Sequence, residues 1–149
     1  MFFALLKAVA APCITPTDDL YINESSTLCY GTYYLNDTNN DGTIIINADN
    51  VALDCNGTSI VGNFLFPTFT GRGIYAREKI NISISNCNIY NYTSGIRVED
   101  SNNVSITNNT LNSNFLGILL DTHDFNILIA NNTIRFNFFG IILDTNIFG

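Results

Sequence analysis

Positive charge is scarce in this chain. Of 149 residues only six are Lys or Arg, against thirteen Asp or Glu, and the formal net charge is −7. Gripping a phosphate backbone requires clustered basic residues, so nucleic acid is excluded as the expected partner. The same scarcity disfavours an anionic membrane surface. Tryptophan is absent, the one methionine is the initiator, and His123 is the one histidine. The four cysteines, Cys13, Cys29, Cys55 and Cys87, show no C-x-x-C spacing, which leaves a zinc site without its usual ligand pattern. No apolar run reaches the length of a transmembrane helix. Helix signals are few beyond residue 12.

What is present is apolar mass and asparagine. Hydrophobic residues make up 46% and charged residues 13%, so a core is affordable and disorder is not expected. The length fits one domain. Asparagine recurs in pairs, at Asn39-Asn40, Asn102-Asn103, Asn108-Asn109 and Asn131-Asn132. Asn tolerates the left-handed backbone region and bonds its own backbone, so evenly placed Asn turns imply many short strands. Residues 1–11, MFFALLKAVAA, carry a short apolar run and an A-x-A-like site, but no basic segment leads them and Lys7 interrupts them. Two readings stand: a secretory signal remnant or an N-terminal cap. The domain proper is expected over 12–149.

One pattern repeats through the second half. Gly-Ile occurs at Gly73-Ile74, Gly95-Ile96, Gly117-Ile118 and Gly140-Ile141, at intervals of 22, 22 and 23 residues. Each line continues with an apolar-polar-apolar stretch, Ile82/Ile84, Val104/Ile106 or Ile127/Ile129, and then an Asn turn before Ile89, Leu111 or Ile134. Alternation at period two marks strands with one face inward. Three short strands in about 22 residues leave no room for a helix, and Asn-Gly hairpin turns are lacking apart from Asn56-Gly57. The remaining solution is a coil whose strands pair in parallel with the next turn, stacking like residues about 4.8 Å apart. The fold class is therefore all-β: a right-handed parallel β-helix, three short strands per coil, with regular coils over 73–149 and an uncapped C-terminal end. An earlier, looser coil runs from Val51 to Ile60. An insertion, 63–72 (NFLFPTFTGR), follows it and carries Phe64, Phe66 and Phe69. Asn86, Asn108 and Asn131 form one equivalent column and Asn114 and Asn137 another, and side-chain ladders are expected in both.

The stretch GIRVEDSNNVSITNNTLNSNFLGILLDTHDFNILIANNTIRFNFFGIILD resembles the parallel β-helix repeat family, in particular its NosD-type and pectate-lyase-like members. Upstream, LCYGTYYLND and NADNVALDCNGTSIVG are similar to N-terminal coils of that family. The resemblance covers about residues 25 to 149. It implies the fold, and it leaves open lyases, hydrolases, epimerases, surface proteins and accessory proteins. The NosD label suggests copper, but one His, an initiator Met and dispersed Cys do not make a copper ligand set. Pectate-lyase-like enzymes set a basic residue beside bound calcium, and Arg97 is the candidate for that role.

Chemistry, if any, is expected in a column. The fourth residue after each repeat glycine is Arg77, Glu99, Asp121 or Asp144. Glu99, Asp121 and Asp144 follow inward Val98, Leu120 and Leu143, so they point outward. At one-strand spacing they repel unless a cation or donor compensates. Three readings follow: Asx-turns that close strands at Asp121-Thr122 and Asp144-Thr145, a calcium or saccharide site, or an acid and nucleophile acting on a sugar. Arg97 shares the face and His123 lies just beyond Asp121. A lone turn histidine is ordinarily a solvated one.

Cys13 is expected to pair with Cys29, both preceding the repeats, while Cys55 and Cys87 are expected as small buried side chains at turns. Eight N-x-[ST] sequons begin at Asn23, Asn36, Asn56, Asn81, Asn91, Asn103, Asn108 and Asn131. Each is a glycan acceptor in a secreted chain, though several fall where the repeat itself demands Asn-x-Thr. Leu119, Phe139, Ile142 and Phe148 are expected outside. The insertion either packs on its own coil or meets a sugar or partner. The bare last coil implies end-to-end self-association or further coils. The expected function is a secreted or cell-surface scaffold or carbohydrate-facing module, with a polysaccharide lyase or hydrolase as the alternative.

Overall fold

The structure, a computed structural model, describes residues 12–63, 71–121 and 123–144. The expectations for residues 1–11, for Phe64, Phe66 and Phe69, for Thr122 and Thr145, and for Phe148 lie outside the described residues. The described chain is a parallel solenoid of three sheets. The first sheet stacks β1 (Leu20–Ile22), β4 (Ile44–Ile46), β7 (Arg72–Arg77), β10 (Ser94–Glu99), β13 (Leu116–Leu120) and β16 (Phe139–Leu143). The second stacks β2 (Ser26–Thr27), β5 (Ala52–Asp54), β8 (Ile80–Ser85), β11 (Asn102–Thr107) and β14 (Phe125–Ala130). The third stacks β3 (Thr32–Tyr34), β6 (Ser59–Val61), β9 (Asn88–Tyr90), β12 (Thr110–Asn112) and β15 (Thr133–Arg135). Every strand thus pairs with its counterpart one coil away, 22 or 23 residues on from β7 onwards and 24 to 31 residues on in the looser N-terminal coils. Several strands reach six residues, longer than the repeat pattern alone implied. No helix among the described residues is long and apolar enough to cross a membrane.

Register explains the repeat. Ile44, Ile74, Ile96, Ile118 and Ile141 lie in one in-register column. All but the last are fully buried; Ile141 is exposed. Ile60, Ile89, Leu111 and Ile134 form the matching column of the third sheet. Each buried aliphatic side chain contributes about 1.5–3 kcal/mol against exposure. Gly73, Gly95 and Gly117, before three of those isoleucines, are fixed by backbone approach. A Cβ on Gly73 would lie 2.6 Å from the Gly95 carbonyl oxygen, and one on Gly95 would lie 2.8 Å from that of Gly117. No side chain fits between successive coils there.

Two corners carry buried asparagines. Between the second and third sheets, Asn109 Oδ1 accepts the Cys87 N–H at 3.0 Å, and Asn109 Nδ2 donates to the Ile84 carbonyl at 3.1 Å and to Asn132 Oδ1 at 3.1 Å. Between the third and first sheets, Asn114 accepts the Tyr92 N–H at 3.0 Å and donates to Asn137 Oδ1 at 3.1 Å. The inner ladder at the former corner therefore runs through Asn109 and Asn132. Asn86, Asn108 and Asn131, expected to form it, stand one residue earlier, exposed and with positive φ, where the chain reverses outward.

Two disulfides close the N-terminal coils. Cys13 is bonded to Cys29, beside the parallel bridge between Ile14 and Leu28. Cys55 is bonded to Cys87 across 32 residues, which corrects the expectation that these two are isolated thiols. They end equivalent strands on neighbouring coils, so parallel stacking brings their Cα atoms within 4.8 Å. A second correction concerns Leu119. It is only 8% exposed, flanked in register by Arg97 and Ile142.

Candidate outer-face site on the first sheet

Outward residues of β7, β10 and β13 form two neighbouring columns. One holds Tyr75, Arg97 and Leu119; the other holds Arg77, Glu99 and then Asp121, whose N–H continues the ladder to the Val98 carbonyl at 2.8 Å. The parallel register sets these groups one strand spacing apart. Glu99 and Asp121 do not face one another uncompensated. Arg97 Nη2 lies 2.5 Å from Glu99 Oε1 and 2.6 Å from Asp121 Oδ2. The Tyr75 hydroxyl donates to Glu99 Oε2 at 2.6 Å. The Tyr75 phenol is pushed up to about 12, by burial first and then by the Glu99 carboxylate. The Arg72 guanidinium sits 4.4 Å above the Tyr75 ring, a cation–π contact. Arg77, on the open rim, reaches Glu99 Oε2 at 3.7 Å.

Both carboxylates are thus engaged by a shared guanidinium. A glycosidase needs one protonated acid and one free base or nucleophile, with room for the sugar between them. Glu99 and Asp121 offer neither in this arrangement. They build instead a fixed polar strip, with an aromatic ring at one end. Arg97, Glu99 and Asp121 are brought together; Asp144 continues the column through its N–H to the Leu120 carbonyl at 2.8 Å, but among the described residues no ion pair joins it to them.

Asp144 and Asp121 border a separate cavity of about 500 Å³ where the last described coil turns from the first sheet to the second. Its floor is Leu120, Ile127, Ile129 and Leu143, and His123 and Asp124 stand on its rim. Asp124 Oδ1 accepts the Ser101 N–H at 2.7 Å, while Oδ2 is buried without a partner. Burial, followed by the nearby Asp100 and Asp121 charges, pushes the Asp124 carboxyl up to about 6. His123 is exposed, has positive φ, and places Nδ1 3.1 Å from Asp100 Oδ1.

A third polar cluster lies at the corner between the third and first sheets. Buried Asp37 accepts the N–H groups of Asp41 at 3.2 Å, Gly42 at 3.1 Å and Arg72 at 2.8 Å, closing that turn. Burial, followed by the Asp19 charge, raises both Asp18 and Asp41 above the usual carboxylate range. Among the described residues, no three His, Cys, Asp or Glu side chains gather as a metal-holding group.

Sequence reasoning gave Tyr75 no role, and it missed Arg72 and Asp124. Arg72 was assigned to the insertion, although it opens β7. Asp124 follows His123 in a turn and carries no periodic signal. No curated protein and no solved structure matches the chain. The family model for the right handed beta helix region matches residues 20–146, and the chain belongs to that family.

Proposed function

We propose that the chain is an extracellular or cell-surface β-helix scaffold that binds polysaccharide on the outer face of its first sheet, without catalysis. The observation that carries this reading is the bridging of Glu99 and Asp121 by Arg97, beside a Tyr75 ring held by Arg72. Planar donors and acceptors repeating at one-strand spacing suit an extended hydroxyl-rich chain, and an aromatic face suits a sugar ring. The two disulfides favour an oxidising compartment. Calcium on Glu99, Asp121 and Asp144 does not fit this arrangement, since Arg97 already bridges the first two and no three such side chains gather among the described residues.

The second reading is a hydrolase or lyase, in the manner of the pectate-lyase-like members. It is favoured by Asp124, a carboxyl raised towards neutral pH at the edge of a cavity, the condition of a general acid. One experiment separates the two readings. Affinity electrophoresis in neutral and acidic polysaccharides, with calcium and with chelator, is run beside a reducing-sugar and unsaturated-product assay. The scaffold reading expects retardation without product, and about tenfold weaker binding for Tyr75→Ala, a loss of about 1.4 kcal/mol. Turnover that disappears in Asp124→Asn would establish the enzyme instead. Retardation unchanged in Tyr75→Ala would remove the proposed face.

A further inference from the structure

Asparagine is distributed unevenly around the solenoid. The first-sheet strands β1, β4, β7, β10, β13 and β16 contain none. The eight sequon asparagines lie in the second sheet or in turns, and all eight are exposed. The asparagines of the inner ladders, Asn109, Asn114, Asn132 and Asn137, are not sequons. A modifiable amide is thus never one that the buried corners need.

Six of the eight fall into two groups by what their amides already do. Asn81 Nδ2 donates to Asn50 Oδ1 at 2.9 Å, and Asn103 Nδ2 donates to Asn81 Oδ1 at 3.0 Å, a surface ladder along the second sheet. Asn56, Asn91, Asn108 and Asn131 sit at turns with φ of 52, 58, 57 and 56°. Among the described residues none accepts a hydrogen bond from their side-chain amides. Thr58, Thr93, Thr110 and Thr133 stand two residues on, completing each acceptor sequence.

We propose that the chain is N-glycosylated at turn asparagines, at Asn56, at Asn91 and at one of Asn108 and Asn131, leaving the outer face of the first sheet bare. The donor class is a lipid-linked glycosyl diphosphate. The bond from its anomeric carbon to the diphosphate oxygen breaks, and a bond from that carbon to the asparagine Nδ2 forms. The nitrogen gives up one proton, and the lipid diphosphate leaves with the electron pair. Nothing is oxidised or reduced. Asn108 and Asn131 occupy adjacent coils about 4.8 Å apart, too close for two branched glycans, so one of the pair carries the sugar. In the folded chain the Thr58 hydroxyl is buried and donates to the Cys29 carbonyl at 2.9 Å, so attachment at Asn56 precedes closure of that corner. The two disulfides support passage through a compartment where such donors act. This inference does not rest on polysaccharide binding.

Peptide-resolved mass spectrometry of the full chain, isolated from the cells that make it, reads every site at once. The expected result is glycan on Asn56, on Asn91 and on one of Asn108 and Asn131, with Asn81 and Asn103 unmodified. Eight unmodified sequons would overturn the proposal. Glycan on Asn81 or Asn103 would overturn it too, because the amide ladder would then not select the sites. Asn108→Asp keeps a turn-tolerant residue and removes the acceptor nitrogen. In that variant the sugar is expected on Asn131, and its absence there would refute the shared corner.

Discussion

Cys87 and Asn109 occupy the same place on successive coils, and the chain closes that corner differently on the two sides. Towards the N-terminus the corner is covalent, Cys55 to Cys87. Towards the C-terminus it is an amide ladder, Asn109 to Asn132. Cys87 belongs to both, because its N–H also donates to Asn109 Oδ1. The difference shows what the position requires. A polar backbone group turned inward must be satisfied from the next coil, and a side chain of either chemistry can bind the two coils there. Burial falls off later than that division. The aliphatic columns are closed as far as Ile118, whereas Leu143 is 64% exposed.

The largest expected effect breaks the ladder side. Asn109 is 1% exposed, and Asn109→Ala leaves the Cys87 N–H without its acceptor and removes a donor from the Ile84 carbonyl and from Asn132 Oδ1. The loss should be roughly 4 kcal/mol, since an orphaned buried group costs about 1–3 kcal/mol and each further lost bond about 1 kcal/mol. Denaturant melts at fixed pH check it, and a loss below that of an ordinary surface substitution would refute the ladder's role. Breaking the covalent side should cost slightly less. Cys55→Ala with Cys87→Ala removes a cross-link over 32 residues, worth about 3.7 kcal/mol by the loop-closure argument. Cys87→Asn in the Cys55→Ala background should recover about 1 kcal/mol if one amide can stand where the sulfur stood. Equal melting midpoints for these two pairs would show the two chemistries are not interchangeable.

The smallest effect concerns pH on the ladder side. The Asp124 carboxyl is raised in the folded chain to about 6, above its unfolded value, so burial penalises the charged form. Below about pH 4 the group is neutral in both states and costs nothing. As pH rises through about 6 the penalty becomes complete, so this group makes the fold less stable towards neutrality. Allowing for solvent screening, the change is about 1 kcal/mol. Melting midpoints of the parent and of Asp124→Asn, followed from pH 4 to 7, should diverge in that window. Parallel curves would remove the assigned burial.

How much of this was legible depends on the reach of each interaction. The Gly-Ile intervals exposed the coil, since period-two alternation and stacking are both local consequences of strand geometry. The acidic column was legible as a column, through the same register. Its compensation was not. Arg97 bridges Glu99 on its own strand and Asp121 on the next coil, a choice of rotamer that no spacing encodes. The ladder was displaced by one residue, from Asn108 to Asn109, because both are asparagine and only the left-handed φ of Asn108 decides which one faces in. Leu119 was misplaced because alternation gives a direction, while burial depends on what stands on either side.

The sequence by itself determined the solenoid, its period and the identity of the residues in each column, because a parallel coil repeats its environment and selects the same side-chain type at each turn. Tertiary structure alone decided which cysteines bond, which asparagine of each pair is buried, and which carboxylates are neutralised. Those outcomes rest on distances of a few ångströms between residues 22 to 32 positions apart, set by the exact stacking of one coil on another.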